Sequence, residues 1–156
     1  PKIYLVIFLN MLMAKIPVMQ NNIFIDADAL VALSDIDDSN HKKALEFAGL
    51  LKVKDVDLYI SSFAFGEAIT VTSQNVGLEK AVELGKSIFQ GMCSIVDIDR
   101  EAISEAFKKF SKQISKNSRF TDMVNMVLMD ELKIDTIFSF DKHYLKNGYK
   151  LLSLTQ

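Results

Sequence analysis

The chain has 156 residues, 49% hydrophobic and 24% charged, with a net charge of −2 and one cysteine. That suits one globular domain and excludes a mostly disordered chain, a pair of full domains and a disulfide-stapled scaffold. The bulk charge does not mark a nucleic-acid binder, although a local basic patch can do that work without it.

Residues 1–20 differ from the rest: they carry Lys2 and Lys15 and no acid. The apolar run Ile3–Ala14 is broken by Asn10 and falls short of the roughly 20 residues of a spanning helix, so no transmembrane span is expected. Pro17-Val18-Met19 lacks the small residues of a signal-cleavage site. Three readings stand. The stretch is an extension, non-native or upstream of the domain's true start; or a signal; or a docked helix or strand covering an apolar surface or a dimer contact. The domain proper is expected over 21–156.

From there strands and helices alternate. Asn22–Ile25 reads as a short strand and Ala27–Leu33 as a helix. The polar turn Asp37-Asp38-Ser39-Asn40 can cap the helix His41–Lys52, whose Ala44, Leu45, Ala48 and Leu51 share a face. Leu58–Ser61 is a second strand, followed by helices Phe63–Gln74 and Leu78–Phe89. Cys93 reads as a small buried hydrophobe, and a lone thiol suits a reducing cytoplasm. Ser94–Ile98 is the third strand. Arg100–Ser115 is predicted as a helix with an apolar stripe of Ile103, Phe107, Phe110 and Ile114. Thr121–Leu132 is apolar on most sides, which predicts a central buried helix. Thr136–Ser139 and Tyr149–Leu152 complete the strands. The alternation predicts an α/β fold, a central parallel sheet of four or five short strands flanked by helices. Such sheets bind ligands beyond the carboxyl ends of their strands.

Acidic residues recur at those places. Asp26 and Asp28 follow the first strand, Glu67 lies early in the helix after the second, Asp122 opens a helix, and Asp141 follows the fourth strand. Singly, such an acid is an ordinary helix cap or dipole partner. Asp26 is different, because it comes straight off a buried strand, where an uncompensated charge is costly. Acids gathered at one rim repel one another and raise their pKa values. A divalent cation relieves this, and hard oxygen ligands suit Mg²⁺ or Mn²⁺, which polarises a phosphoryl oxygen and activates water.

The segments IFIDADALVALSDIDDSNHKKA, SSFAFGEAITV and RFTDMVNMVLMDELKIDTIFSFDKHY, in this order and spacing, resemble the PIN-domain ribonucleases, which include the VapC-type toxins. The resemblance runs over residues 21–153. It implies a Mg²⁺- or Mn²⁺-dependent endoribonuclease that leaves a 3′ hydroxyl and a 5′ phosphate. On it, Asp26, Glu67 and Asp122 are the main metal-binding acids and Asp141 completes the catalytic pocket. Thr121 is an accessory residue that orients water or an acid. Asp28 is either part of the metal shell or a local cap. Asn125, one turn on from Asp122, can face the site. Met123, Met126 and Met129 stand where many members have small residues, a change of packing more than of chemistry. The resemblance further implies an RNA substrate, a cytoplasmic toxin with a cognate antitoxin seated in an apolar groove, and a homodimer.

Lys108, Lys109, Lys112, Lys116 and Arg119 fall in a stretch without an acid that leads to Asp122. They read either as an RNA-binding patch or as a solvated face. His41 reads as a cap or a partner of Asp37 and Asp38, His143 as a substrate contact or incidental, and Phe63 and Phe65 as core. Two alternatives remain. One is a non-catalytic PIN-like module binding RNA or protein. The other is a haloacid-dehalogenase-like phosphatase, whose nucleophile motif Asp26-Ala27-Asp28 imitates, with Asp26 as phosphoryl acceptor and Asp28 as acid.

Overall fold

The structure, a computed structural model, describes residues 22–153 apart from Ser115. The readings of residues 1–20 lie outside the described residues. The first strand, β1 (Asn22–Ile25), buries Ile23, Phe24 and Ile25 on both its faces, as a central parallel strand must. It is followed by α1 (Ala27–Ser34), α2 (His41–Val53), β2 (Asp57–Ser61), α3 (Ser62–Asn75), α4 (Leu78–Ser87), β3 (Ser94–Val96), α5 (Arg100–Ser111), α6 (Phe120–Leu132), β4 (Thr136–Phe138), α7 (His143–Lys146) and β5 (Lys150–Leu151).

The expected parallel sheet is present, with five strands among the described residues in the order β3-β2-β1-β4-β5. Its register pairs Ile23 with Leu58, Ile25 with Phe138, Ile60 with Ile95 and Ile137 with Leu151. Strand alternation divides the core. Ile23, Ile25, Ile60 and Phe138 face α1 to α4, whereas Phe24 and Ile137 face α5 to α7. From β1 the chain builds outward through β2 and β3 on one side and returns to place β4 and β5 on the other. The order therefore reverses between β1 and β4, and the crevice beyond their carboxyl ends is where such sheets take ligands.

Local chemistry sets the element ends. Ser61 caps α3, its hydroxyl accepting from the Ala64 N–H at 3.0 Å, and Asp99 caps α5 by accepting from the Ala102 N–H at 2.8 Å. The Asp99 cap takes the chain out of β3 at Val96, earlier than the predicted Ile98. After α4 the backbone widens into a π-type turn through Met92, where Gly91 at φ 101 takes a conformation that other residues resist.

One expectation is corrected in α5. The helix stops at Ser111, and the predicted stripe is not its core face. Ala102 and Ala106 are the buried positions, while Phe107 is 61% exposed and Ile114 fully so. Small residues let α5 lie close against α6, and close approach carries the long apolar side chains outward. The thiol of Cys93 is buried, as expected, and burial pushes its pKa up to about 11. Met123, Met126 and Met129 are all buried within α6. Among the described residues no helix is long and apolar enough to cross a membrane.

Candidate active site

Asp26 is the residue immediately after β1, and its N–H donates to the Phe138 carbonyl at 3.1 Å, which ties the ends of β1 and β4 together. Its side chain is buried, and three donors hold it. The Ala27 N–H donates to Oδ1 at 2.8 Å, Asn125 Nδ2 to Oδ1 at 2.9 Å and the Tyr144 hydroxyl to Oδ2 at 2.9 Å. Asn125 Nδ2 also donates to the Tyr144 oxygen, and the Ser61 hydroxyl donates to Asn125 Oδ1. Four elements thus contribute to one closed polar network: β2 supplies Ser61, α6 Asn125, α7 Tyr144 and the end of β1 Asp26.

The remaining acids surround this floor. Asp122, in the first turn of α6, is buried and accepts from the Arg119 backbone N–H at 2.9 Å. Glu67 is half-buried in the second turn of α3, and its carboxylate forms an ion pair with the Arg119 guanidinium. Asp141 is exposed at the end of the β4 loop and accepts from the His143 N–H at 2.7 Å. Asp28, in the first turn of α1, accepts from Ser139 Oγ at 3.0 Å and from the Phe140 N–H at 2.8 Å, so it fastens the loop that carries Asp141. Together Asp26, Asp28, Glu67, Asp122 and Asp141 line a cleft of about 260 Å³ with Ala27, Asn117, Arg119 and Phe140.

The electrostatics follow from burial and crowding. Burial, then the charges of Asp28 and Glu67, raise the pKa of Asp26 to about 7 against the bonds from Ala27 and Tyr144. Burial, then Asp26 and Asp141, raise Asp122 to about 6. Burial also raises Asp28. The Tyr144 hydroxyl is pushed well up by burial and by Asp26, so it remains a donor at neutral pH.

The family model for the PIN domain matches residues 23–150. The chain belongs to the PIN domain family. Among solved structures the fold is similar to that of VapC20 from Mycobacterium tuberculosis, described as a toxin that cleaves the sarcin–ricin loop. The TM-score is 0.74 at 19% identity, covering 81% of this chain and 95% of that one. No curated protein matches the sequence.

This PIN domain gathers its acids as the strand ends suggested, but other residues depart from expectation. Thr121 is half-buried and does not line the cleft. The basic stretch divides between ion pairs, solvent and the cleft. Lys108 pairs with Glu105 at 3.4 Å, Lys109 with Asp130 at 3.5 Å, Lys112 and Lys116 are exposed, and of the five only Arg119 lines the cleft. His41 does not meet Asp37 or Asp38 through its ring: Nδ1 lies 2.7 Å from the Ala32 carbonyl and closes the end of α1. His143 lies beside Ser118 and Asn147. Phe63 is partly exposed and packs edge-on to Phe120, while Phe65 packs on the core. The phosphatase reading needs Asp28 as an acid toward a leaving group, yet one of its oxygens is spent on the β4 loop.

Sequence reasoning missed Ser61, Ser139 and Tyr144. Ser61 was legible only as the last residue of a strand, and Tyr144, three residues after Asp141, only as one more aromatic. Their function is a matter of which strands neighbour one another.

Proposed function

We propose that this PIN domain is a metal-dependent endoribonuclease that hydrolyses RNA phosphodiester bonds and serves as the toxin of a toxin–antitoxin module. The observation that carries the reading is the buried Asp26 carboxylate, fixed by three donors, in one cleft with Glu67, Asp122 and Asp141.

The donor set fits a hard cation. It is all oxygen, its buried members carry raised pKa values, and Asp28 Oδ1 is buried without a hydrogen-bond partner. Among the described residues no three acids are already gathered closely enough to form a metal site. Asp26, Glu67, Asp122 and Asp141 would hold Mg²⁺ or Mn²⁺, which offsets their repulsion and makes water more acidic. The protein's own part is positional. Asn125 and Tyr144 hold Asp26 in one orientation, and Asp28 holds the loop of Asp141. Neither Asn125 nor Tyr144 needs to gain or lose a proton to do so.

The likeness to VapC20 supports an RNA substrate and an antitoxin partner. An apolar groove of about 620 Å³ between α3 and α4, lined by Phe65, Ile69, Leu78, Val82 and Phe89 among others, suits an antitoxin segment. The exposed Ile103, Phe107 and Phe110 of α5 supply apolar area for a homodimer. The cytoplasm, where RNA is at hand, is the compartment this reading requires.

The test is cleavage of a structured and a single-stranded RNA with Mn²⁺, Mg²⁺ or EDTA, beside Asp26→Asn. Cleavage is expected with metal, and Asp26→Asn is expected to lower it at least about 100-fold. A folded, antitoxin-free protein that cleaves neither RNA with either metal favours the binding-module alternative.

A further inference from the structure

Among the described residues Arg119 is the one basic residue lining the cleft, where it faces five carboxylates. An RNA phosphate brought to such a site needs a cation to receive it. Lys108 and Lys109 do not reach the cleft and are engaged with Glu105 and Asp130. Arg119 stands at the start of α6, where its N–H is bonded to the Asp122 carboxylate. Its backbone is therefore fixed beside a proposed metal ligand, while its side chain is 66% exposed. That side chain reaches over to α3 and pairs with Glu67, another proposed metal ligand.

We infer that Arg119 is the residue that receives the RNA phosphate at this cleft, and that Glu67 holds its guanidinium until cation or substrate displaces it. The inference rests on the ribonuclease reading. A guanidinium presents the same fork of donors to a carboxylate and to a phosphate, so the two partners compete for it. The guanidinium end of the pair is open to solvent, which screens the pair and eases the exchange. When Glu67 turns to a cation, Arg119 loses its partner and is left to bind phosphate. Cation and RNA then each favour binding of the other, and the coupling is reciprocal.

The test is a double-mutant cycle on the full chain, in EDTA, reading the affinity for a single-stranded RNA by fluorescence anisotropy. Arg119→Gln is expected to weaken binding about 10-fold and to lower the salt slope by about one phosphate contact. Glu67→Gln releases the guanidinium and is expected to tighten binding about 5-fold, a gain that vanishes when Arg119→Gln is also present. An equal gain with and without Arg119 is charge removal alone and overturns the inference, as does an Arg119→Gln protein that binds like wild type. A wild-type chain that binds no RNA, with or without Mn²⁺, removes the ribonuclease reading and the inference with it.

Discussion

Asp26, just after β1, and Glu67, in the helix that follows the neighbouring β2, reach the same cleft, yet they are held in opposite ways. Asp26 is buried and bonded to the Ala27 N–H, Asn125 and Tyr144, which are themselves packed in the core. Glu67 sits at the rim, and its ion pair is with an exposed side chain. The floor is preorganised and the rim is adjustable. A site that must collect a cation and a phosphate from water gains from both. Rigid donors fix the reacting geometry, and loosely held charges can change partners without unfolding anything.

This contrast can be broken at the floor first. Asn125→Ala removes the shared partner of Asp26, Ser61 and Tyr144 and leaves buried polar groups short of bonds. The expected loss of stability is about 2–4 kcal/mol by denaturant unfolding, with a large fall in cleavage. A loss under about 0.5 kcal/mol would show that the network contributes no rigidity.

The two faces of α5 give the next largest effect. Ala106 is 0% exposed, so Ala106→Leu must overpack the contact with the core, at about 1–3 kcal/mol. Phe107→Ser, on the outward face, is expected to cost the monomer less than about 0.5 kcal/mol. If the proposed homodimer uses this face, the same substitution shifts sedimentation toward the monomer. A destabilised Phe107→Ser with a tolerant Ala106→Leu would reverse the assignment of faces.

The acids give a graded effect with pH. In the folded protein Asp26 and Asp122 have pKa values of about 7 and about 6, against 3.8 for an ordinary Asp. The folded state therefore keeps protons that the unfolded chain has already released. Stability of the metal-free protein is expected to fall as pH rises from about 4 to about 7 and to level off above that. Asp26→Asn should flatten the decline, and Mn²⁺ should raise the melting temperature more at pH 8 than at pH 5. Melting curves in EDTA and in Mn²⁺ across that range check both. A melting temperature that rises with pH through this window would contradict the raised pKa values of the two buried acids.

Much of the fold was legible because strand and helix announce themselves locally. Asn22–Ile25 reads as a strand because three consecutive apolar residues follow a polar one, and the later helices read from apolar residues recurring at helical spacing. The acids were legible for a related reason, since a charge placed at the end of an apolar strand is costly without a purpose. The stripe of α5 misled because helical periodicity reports which residues share a face but not which face meets the sheet. Ala102 and Ala106, inconspicuous in a hydrophobic pattern, took the buried side by allowing close approach. The partners of the basic stretch were not legible either, because sequence proximity of Lys108 to Arg119 says nothing of Asp130, which arrives from another helix to pair with Lys109.

The sequence by itself determined the alternation of elements, the parallel sheet and the placing of Asp26, Glu67, Asp122 and Asp141 at strand ends and helix starts. These follow from periodicity, capping and the cost of a charge beside an apolar run, all of which act over a few residues. Only the tertiary structure decided that Tyr144 and Ser61 join Asn125 around Asp26, that Asp28 fastens the β4 loop, and that Arg119 answers Glu67. Those pairings span 19 to 118 residues of chain. They exist because β1 lies between β2 and β4, and strand order arises from global packing, which no local stretch of sequence encodes.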